Sequence, residues 1–370
     1  MDAPTKASGG YAIAGGASST GKAPSAFREA EKKYQLHYDQ ELKFSKGKLR
    51  GKRGRLRERP TDLSEVLDFR SLPRDGDGVV VDVAMDFPGN RRRTVRSLAR
   101  HPGFYHVESY LTCEECEELA REILETHIDP PASSNHTARH GDRVSGLWAA
   151  AGRGDFYDPE SGRDGTCWSP LSLSPSGSGV LTARTLLERL RWVSLGPRYD
   201  WTRRKYLRDS PHRELPRGLK AMADGAVASL CAEGGGATSS MSTFGADAAL
   251  VNFYGAGDTL GGHVDDAEAD LAQPLVSLSL GCDAVFLLGG RTREERPTAM
   301  LLRSGDLVVM SGDARRCYHG LPRILSSRET MKSSRQGAQG GGLSVEGYLA
   351  GHRINVSVRM VAAPEVAEPS

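Results

Sequence analysis

Short runs of apolar and β-branched residues recur along the last third of the chain, and turns rich in Gly, Asp and Ser separate them. Strands of this length and spacing are typical of a β-sandwich, and a double-stranded jelly roll is one natural closure of the two sheets. The pattern therefore predicts a strand-rich core. The predicted strands are residues 248–254, 275–280, 284–288, 299–302, 307–310 and 353–361.

The last of these runs, "RINVSVRM", alternates polar and apolar residues with the period of two that a strand requires. Its apolar face belongs in the core. Its polar face is either the solvated surface of an antiparallel sheet or a cavity wall that holds an anion, because the planar guanidinium of arginine matches a carboxylate. The polar positions are Arg353, Asn355, Ser357 and Arg359.

Before residue 248 the pattern favours helices, and Thr112 is suited to cap one of them. Residues 130–180, rich in Pro, Ser, Gly and Asp, are predicted to form surface loops. The predicted helices are residues 26–42, 112–126, 181–193 and 215–232. Together with the strands, they indicate an α+β fold with helices on the N-terminal side of the core.

Composition divides the chain into three parts. Residues 1–60 are predicted to be a disordered and basic N-terminal extension, and residues 61–247 a largely helical part. Residues 248–363 are predicted to be the strand-rich core. Within this core, residues 326–350 form a polar, Gly-rich stretch that we expect to be a flexible insertion.

The chain has 370 residues, of which 38% are hydrophobic and 26% charged, as expected of a globular protein. No apolar run approaches the roughly 20 residues of a membrane span, and the N-terminus lacks the apolar segment of a secretory signal. We therefore expect an intracellular protein, in the nucleus, the cytoplasm or the mitochondrion, that does not enter a membrane.

Six cysteines in a chain of this length do not make a disulfide framework, which favours a reducing compartment. Cys113 and Cys116 form a C-x-x-C inside an acidic helical pattern. Because no second cysteine pair follows them, ordinary helix residues are favoured over a redox or zinc site.

Charge is unevenly distributed, although the net charge is only +2. Residues 43–59, "KFSKGKLRGKRGRLRER", are dense in Lys and Arg. Such a run attracts phosphate backbones through counterion release. A solvated tail or a localisation signal would have the same composition, so both interpretations stay open.

Four His-x-Asp triplets occur in the chain, and only one follows a predicted strand of the core. In that triplet, His263 and Asp265 come after a Gly-rich turn, and His319 follows another predicted strand. Two histidines and one carboxylate make the facial triad of non-haem Fe(II) oxygenases, which leaves three coordination positions open. The other triplets, predicted to be surface histidines, are His37/Asp39, His127/Asp129 and His140/Asp142.

Four motifs in order resemble the AlkB family of Fe(II)- and 2-oxoglutarate-dependent nucleic-acid dioxygenases. The family pattern is N-x-Y, H-x-D, a distal His and R-x-N-x-[ST]-x-R. Here it is represented by "NFYGAGDTLGGHVDD", "SGDARRCYHG" and "RINVSVR". The stretches "LRWVSLGPRYDW" and "FLLGGRTREERPTAMLLRSGD" look most like the eukaryotic homologue-one branch. The resemblance implies a double-stranded β-helix core, with a nucleotide-recognition lid in residues 61–247.

The resemblance also assigns roles to individual residues. It implies Fe(II) ligands at His263, Asp265 and His319. It implies a 2-oxoglutarate site with the distal carboxylate on Arg353; the site residues are Asn252, Phe253, Tyr254, Arg353, Asn355 and Arg359. It implies a base-clamping aromatic lid and a substrate-side arginine; these residues are Trp192, Tyr199 and Arg293. One departure is Ala267, where the bacterial enzyme has an acidic residue.

The implied activity is oxidative demethylation of bases in tRNA or DNA, with O₂ as co-substrate. As 2-oxoglutarate is converted to succinate and CO₂, an N-methyl group is hydroxylated and then lost as formaldehyde. Substrates in the branch include 1-methyladenine and 5-methylcytosine in tRNA and N6-methyladenine in DNA. We expect a monomer that binds nucleic acid. Two alternatives remain: an oxygenase acting on a protein side chain, and a non-catalytic nucleic-acid-binding protein.

Overall fold

The structure is a computed structural model. It describes residues 23–40, 56–71, 81–89, 91–160, 167–174, 180–207, 209, 211–232, 239–326 and 343–362. The first 22 residues, most of the basic run and most of the Gly-rich insertion lie outside the described residues.

Each of the four predicted helical segments contains a helix, and all four helices are shorter than predicted. Thr112 caps its helix as predicted, and it forms a capping box with Glu115. The helices are α1 (Ala26–Tyr34), α2 (Cys113–Glu122), α3 (Thr137–His140), α4 (Leu147–Arg153), α5 (Ala183–Glu188), α6 (Arg217–Ala232) and α7 (Val345–Gly351). Among these residues, no helix is long and apolar enough to cross a membrane.

The six strands predicted after residue 248 are also present. The first eleven strands are β1 (Tyr38–Gln40), β2 (Leu56–Glu58), β3 (Val81–Phe87), β4 (Arg91–Leu98), β5 (His101–Val107), β6 (Ser133–Ser134), β7 (Phe156–Tyr157), β8 (Trp168–Ser169), β9 (Trp192–Leu195), β10 (Arg198–Asp200) and β11 (Lys205–Leu207). They are followed by β12 (Ala248–Gly255), β13 (Leu260–His263), β14 (Leu275–Gly281), β15 (Asp283–Leu288), β16 (Thr298–Leu302), β17 (Leu307–Met310), β18 (His319–Leu325) and β19 (His352–Arg359).

Two antiparallel sheets form the centre of the fold. The larger has nine strands in the order β3-β4-β5-β17-β14-β19-β12-β9-β6, and the smaller has the order β13-β18-β15-β16. Strand β19 lies in the middle of the large sheet, where β12 and β14 flank it. The strand that carries "RINVSVRM" is therefore hydrogen-bonded to a neighbouring strand along both of its edges.

The predicted division at residue 248 does not separate two cores. Strand β5 pairs with β17, with Val107 opposite Leu307, and β9 pairs with β12. One hydrophobic cluster contains Leu124 and Leu187 from one side of the division and Val356 from the other. The sequence boundary marks a change from helices to strands, but both parts bury their apolar faces in the same core.

Two predictions of irregular structure were too broad. Residues 130–180 contain α3, α4, β7 and β8, and Leu147 and Trp168 are buried there. The segment predicted as a flexible insertion contains most of α7, whose Tyr348 and Leu349 are buried in the main cluster. In both segments the high content of Gly and Ser is typical of loops. The few apolar residues among them are nevertheless enough to dock a short helix.

Helix α1 docks on the small sheet through Phe27, which is 1% exposed. The Phe27 ring lies against Gly262 and Gly289, and a Cβ atom at either glycine would overlap it. Phe27 also packs against Tyr318, with 6.4 Å between ring centroids. These glycines therefore leave the space in which the aromatic ring is buried.

We expect Phe27→Ala to lower the free energy of unfolding by about 3–5 kcal/mol, the usual cost of emptying a buried phenylalanine site. Urea denaturation of the two proteins measures this difference. Leu171→Ala is the control, because Leu171 is 50% exposed and its change should stay within about 0.5 kcal/mol. A loss in Phe27→Ala as small as in this control would contradict the docking of α1.

Candidate active site

The polar face of β19 forms one wall of a cavity of about 410 Å³. Its four polar residues line the cavity, whereas the apolar residues between them lie in the main hydrophobic cluster. Asn252 on β12 lies opposite Asn355, and Ser277 on β14 lies opposite Ser357. Both also line the cavity, so polar side chains of neighbouring strands extend the wall. A cavity wall is therefore favoured over a solvated sheet face.

At one side of the cavity, the structure brings His319 next to His263 and Asp265, from which it is far apart in sequence. The two histidines are cross-strand partners on β13 and β18, with 4.4 Å between ring centroids. Each histidine Nε2 lies 3.7 Å from one carboxylate oxygen of Asp265. Three potential ligand atoms lie within 4.8 Å of one another, and no other such group occurs among the residues that the structure describes.

The backbone fixes the orientation of both imidazole rings. His263 Nδ1 lies 3.0 Å from the carbonyl oxygen of Gly261, and His319 Nδ1 lies 3.2 Å from that of Cys317. Because a carbonyl oxygen only accepts, each Nδ1 must carry the proton and donate it. The lone pair is then on Nε2, which points at the shared centre, as in metal-binding histidines. The three residues fit a divalent metal ion.

Two side chains hold the backbone that precedes His263. Glu31 on α1 accepts a hydrogen bond from the Gly262 nitrogen at 2.6 Å, and Arg293 donates to the Gly262 carbonyl oxygen at 2.6 Å. The Arg293 guanidinium also lies over the Tyr318 ring, 5.0 Å from its centroid. Both contacts are on the side of the small sheet that faces α1, so they fix the strands that carry the histidines.

Charge around Asp265 favours its ionised form. Burial would raise the pKa of this carboxyl, but Arg359, the two histidines and Arg315 hold the pKa well below its usual range. Burial also lowers the pKa of His319 to about 4. An ionised carboxylate beside a neutral imidazole is the protonation state that a metal ion requires of these ligands.

Arg353 is buried, with 1% exposure, and lines the same cavity. It donates to the Cys282 carbonyl oxygen at 3.1 Å and to Ser279 Oγ at 2.6 Å, while its Nε atom is buried without a hydrogen-bond partner. Burial lowers the pKa of its guanidinium. A buried cation of this kind is costly unless an anion binds beside it. Arg353 therefore fits the distal carboxylate of a dicarboxylic acid such as 2-oxoglutarate.

A hairpin formed by β10 and β11 makes another part of the cavity wall. Tyr199, Trp201 and Tyr206 of this hairpin line the cavity, and the Tyr199 ring meets the Trp201 ring edge-on at 4.7 Å between centroids. Arg204 forms an ion pair with Asp266, which directly follows the candidate ligand Asp265. The hairpin thus provides aromatic surfaces for a planar group and is connected to the metal group.

Three predicted site residues do not line the cavity. Trp192 is 6% exposed and packs beneath the hairpin, 5.2 Å from the Trp201 ring. Phe253 points to the opposite face of β12 from its neighbours in the motif and is buried in the main cluster. Arg293 holds the Gly262 backbone instead. The alternation of the strand explains Phe253, and the position of α1 explains Arg293.

Trp201 and Tyr206 line the cavity but are not among the predicted site residues, although the sequence contains a pattern that could have indicated them. The stretch "RYDWTRRKY" places three aromatic residues among basic ones within nine positions. Aromatic and basic residues in alternation are typical of surfaces that bind nucleic acid. Trp201 is 41% exposed, a large fraction for a tryptophan, and it lies at the edge of the cavity.

The other His-x-Asp triplets serve the fold. His127 contacts Glu122 at 2.9 Å, Asp129 accepts from the Gly146 nitrogen at 2.7 Å, and His140 contacts the Tyr157 hydroxyl at 3.2 Å. His37 lies 2.9 Å from the carbonyl oxygen of Lys32. Local contacts of this kind are typical of structural histidines. His127 is 6% exposed, so the prediction of a surface histidine is wrong at this position.

The fold and the metal group together define an oxygenase site, and sequence comparison agrees. A family profile described as "2OG-Fe(II) oxygenase superfamily" matches residues 163–359, which contain the three candidate ligands and Arg353. The chain belongs to this superfamily and, within it, to the AlkB family.

Two curated relatives match along most of their lengths. One is "DNA N(6)-methyladenine demethylase ALKBH1A" of Arabidopsis thaliana, 37% identical over 360 residues, covering 91% of this chain and 96% of that protein. Another is "tRNA demethylase abh1" of Schizosaccharomyces pombe, 30% identical over 303 residues, covering 81% and 90%. A solved structure, "The structure of OsALKBH1", matches with a TM-score of 0.43 and 19% identity over 72% of this chain and 99% of that one.

Proposed function

We propose that this chain is an Fe(II)- and 2-oxoglutarate-dependent dioxygenase that removes methyl groups from bases in nucleic acid. The observation that carries the proposal is the group of His263, Asp265 and His319, in which both Nε2 atoms are left free by backbone contacts. A non-catalytic binding protein has no use for three preoriented ligands beside a buried arginine.

The strand order supports a double-stranded β-helix core. From β12 to β19 the chain passes between the two sheets repeatedly: β12, β14, β17 and β19 belong to the large sheet, and β13, β15, β16 and β18 to the small one. This alternation is what two facing sheets of a jelly roll require. Strands β13 and β18 of the small sheet carry His263 and His319, and β19 of the large sheet carries the polar wall of the same cavity.

In this assignment His263, Asp265 and His319 would hold Fe(II), and Arg353 would hold the distal carboxylate of 2-oxoglutarate. Asn252 and Tyr254 lie beside Arg353 on the cavity wall. Bound Fe(II), 2-oxoglutarate and O₂ supply the oxidation of the methyl group. The protein fixes the ligands, binds the co-substrate and positions the base under the β10–β11 hairpin.

The names of the relatives support a nucleic-acid substrate, in DNA for one and in tRNA for the other. A base inside a duplex does not reach a cavity of this kind, so it must be flipped out or lie in a loop or single strand. Tyr199, Trp201 and Tyr206 offer stacking surfaces for it. Candidate bases are N6-methyladenine in DNA and 1-methyladenine or 5-methylcytosine in tRNA.

A turnover assay tests this proposal. The protein is incubated with Fe(II), 2-oxoglutarate, O₂ and a panel of DNA and tRNA oligonucleotides that carry these bases. We expect succinate from all productive substrates, and one formaldehyde for each succinate where an N-methyl group is lost. The unmethylated oligonucleotides are the control.

The products also separate the alternatives. Succinate without formaldehyde on 5-methylcytosine would indicate oxidation that retains the carbon. Succinate that no oligonucleotide stimulates would direct the search to a protein side chain. If a folded, iron-loaded protein releases neither succinate nor formaldehyde, the proposal is contradicted.

We expect Trp201→Ala to weaken binding of a methylated oligonucleotide by about 1–3 kcal/mol, the usual effect of losing one base-stacking aromatic ring. Fluorescence anisotropy with a labelled oligonucleotide measures the change, and the affinity for 2-oxoglutarate should stay the same. Leu173→Ala is the control, because Leu173 is 63% exposed and does not line the cavity. Equal oligonucleotide affinity in wild type and Trp201→Ala would exclude stacking at this position.

A further inference from the structure

A buried carboxylate, Glu268, lies behind the candidate metal group and connects two arginines. Its side chain is 1% exposed. Glu268 Oε2 lies 2.7 Å from Arg315 Nη2, and Oε1 lies 2.7 Å from Arg359 Nη1. Both guanidinium groups are themselves buried, with 1% and 6% side-chain exposure. One carboxylate therefore forms ion pairs with two buried cations at the same time.

Both arginines also reach Asp265, the carboxylate of the metal group. Arg315 Nη1 donates to the Asp265 carbonyl oxygen at 2.5 Å and so holds its backbone. Arg359 Nη2 donates to Ser357 Oγ at 2.9 Å and lies 3.7 Å from Asp265 Oδ2, which is beyond hydrogen-bond distance. Glu268 thus acts on Asp265 from two sides, although it does not touch it.

The 3.7 Å separation matters because Asp265 Oδ2 is also the oxygen that faces His319 Nε2. A metal ion bound here would use an oxygen of the Asp265 carboxylate as a ligand. An arginine that lost its hydrogen bonds to Glu268 would turn to the nearest remaining carboxylate, which is Asp265. It would then form a direct ion pair with the oxygen and compete with the metal.

We propose that Glu268 is a positioning residue that keeps Arg359 away from Asp265 and thereby keeps the Asp265 carboxylate available to the metal. Arg315 completes the arrangement by fixing the Asp265 backbone. This inference rests on the proposed function, since it takes the His263, Asp265 and His319 group as the metal site. It predicts an effect on metal affinity that is independent of substrate and of turnover.

The test is a titration with Mn(II), a redox-stable substitute for Fe(II), in the presence of 2-oxoglutarate, with free Mn(II) measured by electron paramagnetic resonance. We expect Glu268→Gln to weaken Mn(II) binding about 10- to 100-fold, as changes behind metal ligands do. Glutamine has the same shape but accepts hydrogen bonds with only one of its two terminal atoms, so it cannot satisfy both arginines. Glu268→Asp keeps the charge and should recover part of the affinity.

The matched control is Asp68→Asn. It breaks another arginine–carboxylate pair, in which Asp68 accepts two hydrogen bonds of 2.7 Å from Arg303, and neither residue lines the cavity. We expect this variant to bind Mn(II) as wild type does, even where its melting temperature falls. Equal weakening in both variants would mean a general loss of stability and would overturn the inference.

The outcomes distinguish this inference from the proposed function. If wild type binds no Mn(II) with 2-oxoglutarate present, the proposed function fails. If wild type binds Mn(II) and folded Glu268→Gln binds it within twofold, only the role of Glu268 fails. If Glu268→Gln does not fold, the double variant Glu268→Gln/Arg315→Met removes one buried charge of each sign. Arg359 still lacks its carboxylate there, so Mn(II) binding should stay weak, and wild-type affinity would overturn the inference.

Discussion

Replacement of His263 by alanine should abolish turnover while the protein stays folded. The imidazole supplies one of the three ligand atoms, and its side chain is 34% exposed, so that its removal leaves little empty space in the core. A bound metal contributes several kcal/mol to an oxidation of this kind, and each 1.4 kcal/mol corresponds to a factor of ten in rate. We expect a loss of at least about a thousandfold.

Succinate release and Mn(II) binding measure this effect independently. His140→Ala is the matched control, because His140 belongs to another His-x-Asp triplet and contacts Tyr157 rather than the cavity. It should keep wild-type turnover and metal affinity. Turnover of His263→Ala within tenfold of wild type, with the metal still bound, would mean that the metal lies elsewhere.

Arg353→Lys should raise the dissociation constant for 2-oxoglutarate about 10- to 100-fold, since a hydrogen bond to a charged group contributes about 1.5–3 kcal/mol. The guanidinium uses two of its nitrogens on Cys282 and Ser279, and its buried Nε atom has no hydrogen-bond partner. Lysine keeps the charge but has no planar fork with which to hold the backbone, the hydroxyl and a carboxylate together.

Binding of 2-oxoglutarate to the Mn(II)-loaded protein, followed by calorimetry, measures the change. The affinity for Mn(II) alone should remain at the wild-type value, because Arg353 is not among the candidate ligands. Arg303→Lys, in the ion pair with Asp68, is the control for the same substitution outside the cavity. A change of less than threefold in Arg353→Lys would place the distal carboxylate at another residue.

One cavity wall could be predicted because it follows from a local rule, and the metal group because its three residues occur in the order of a known family motif. The period of two in "RINVSVRM" already separates Arg353 from Ile354, and the structure places them on opposite faces. The same rule, applied to β12, would have excluded Phe253, whose side chain must point away from those of Asn252 and Tyr254. The prediction took all three residues of the N-x-Y motif as site residues, although side chains alternate between the two faces of a strand.

Strand β13 could not be predicted, because "TLGGH" contains a single apolar side chain and two glycines typical of a turn. The glycine at 262 is required by the Phe27 ring of a helix more than two hundred residues away, which no local pattern reveals. The same limit applies to Trp192 and Trp201. Both belong to one aromatic stretch, and only the position of the β10–β11 hairpin decides which ring meets the cavity.

The pairing between strands that are distant in sequence could not be predicted either. Strands β3, β4 and β5 join the large sheet through β17, and this contact extends the sheet to nine strands. The sequences of β3 and β4 carry charged residues, as in "RRRTVRSL", so these two strands do not resemble buried strands. Ion pairs such as Arg96 with Glu108, at 2.7 Å, accommodate these charges at the edge of the sheet.

The central claim is that one metal ion lies between His263, Asp265 and His319 with 2-oxoglutarate reaching Arg353. A crystal structure grown with Mn(II) and 2-oxoglutarate, with anomalous diffraction recorded at the manganese absorption edge, tests it most directly. The account predicts one anomalous peak bonded to both Nε2 atoms and to a carboxylate oxygen of Asp265, and a co-substrate carboxylate on the Arg353 guanidinium. A peak at another site, or 2-oxoglutarate bound away from Arg353, would contradict it.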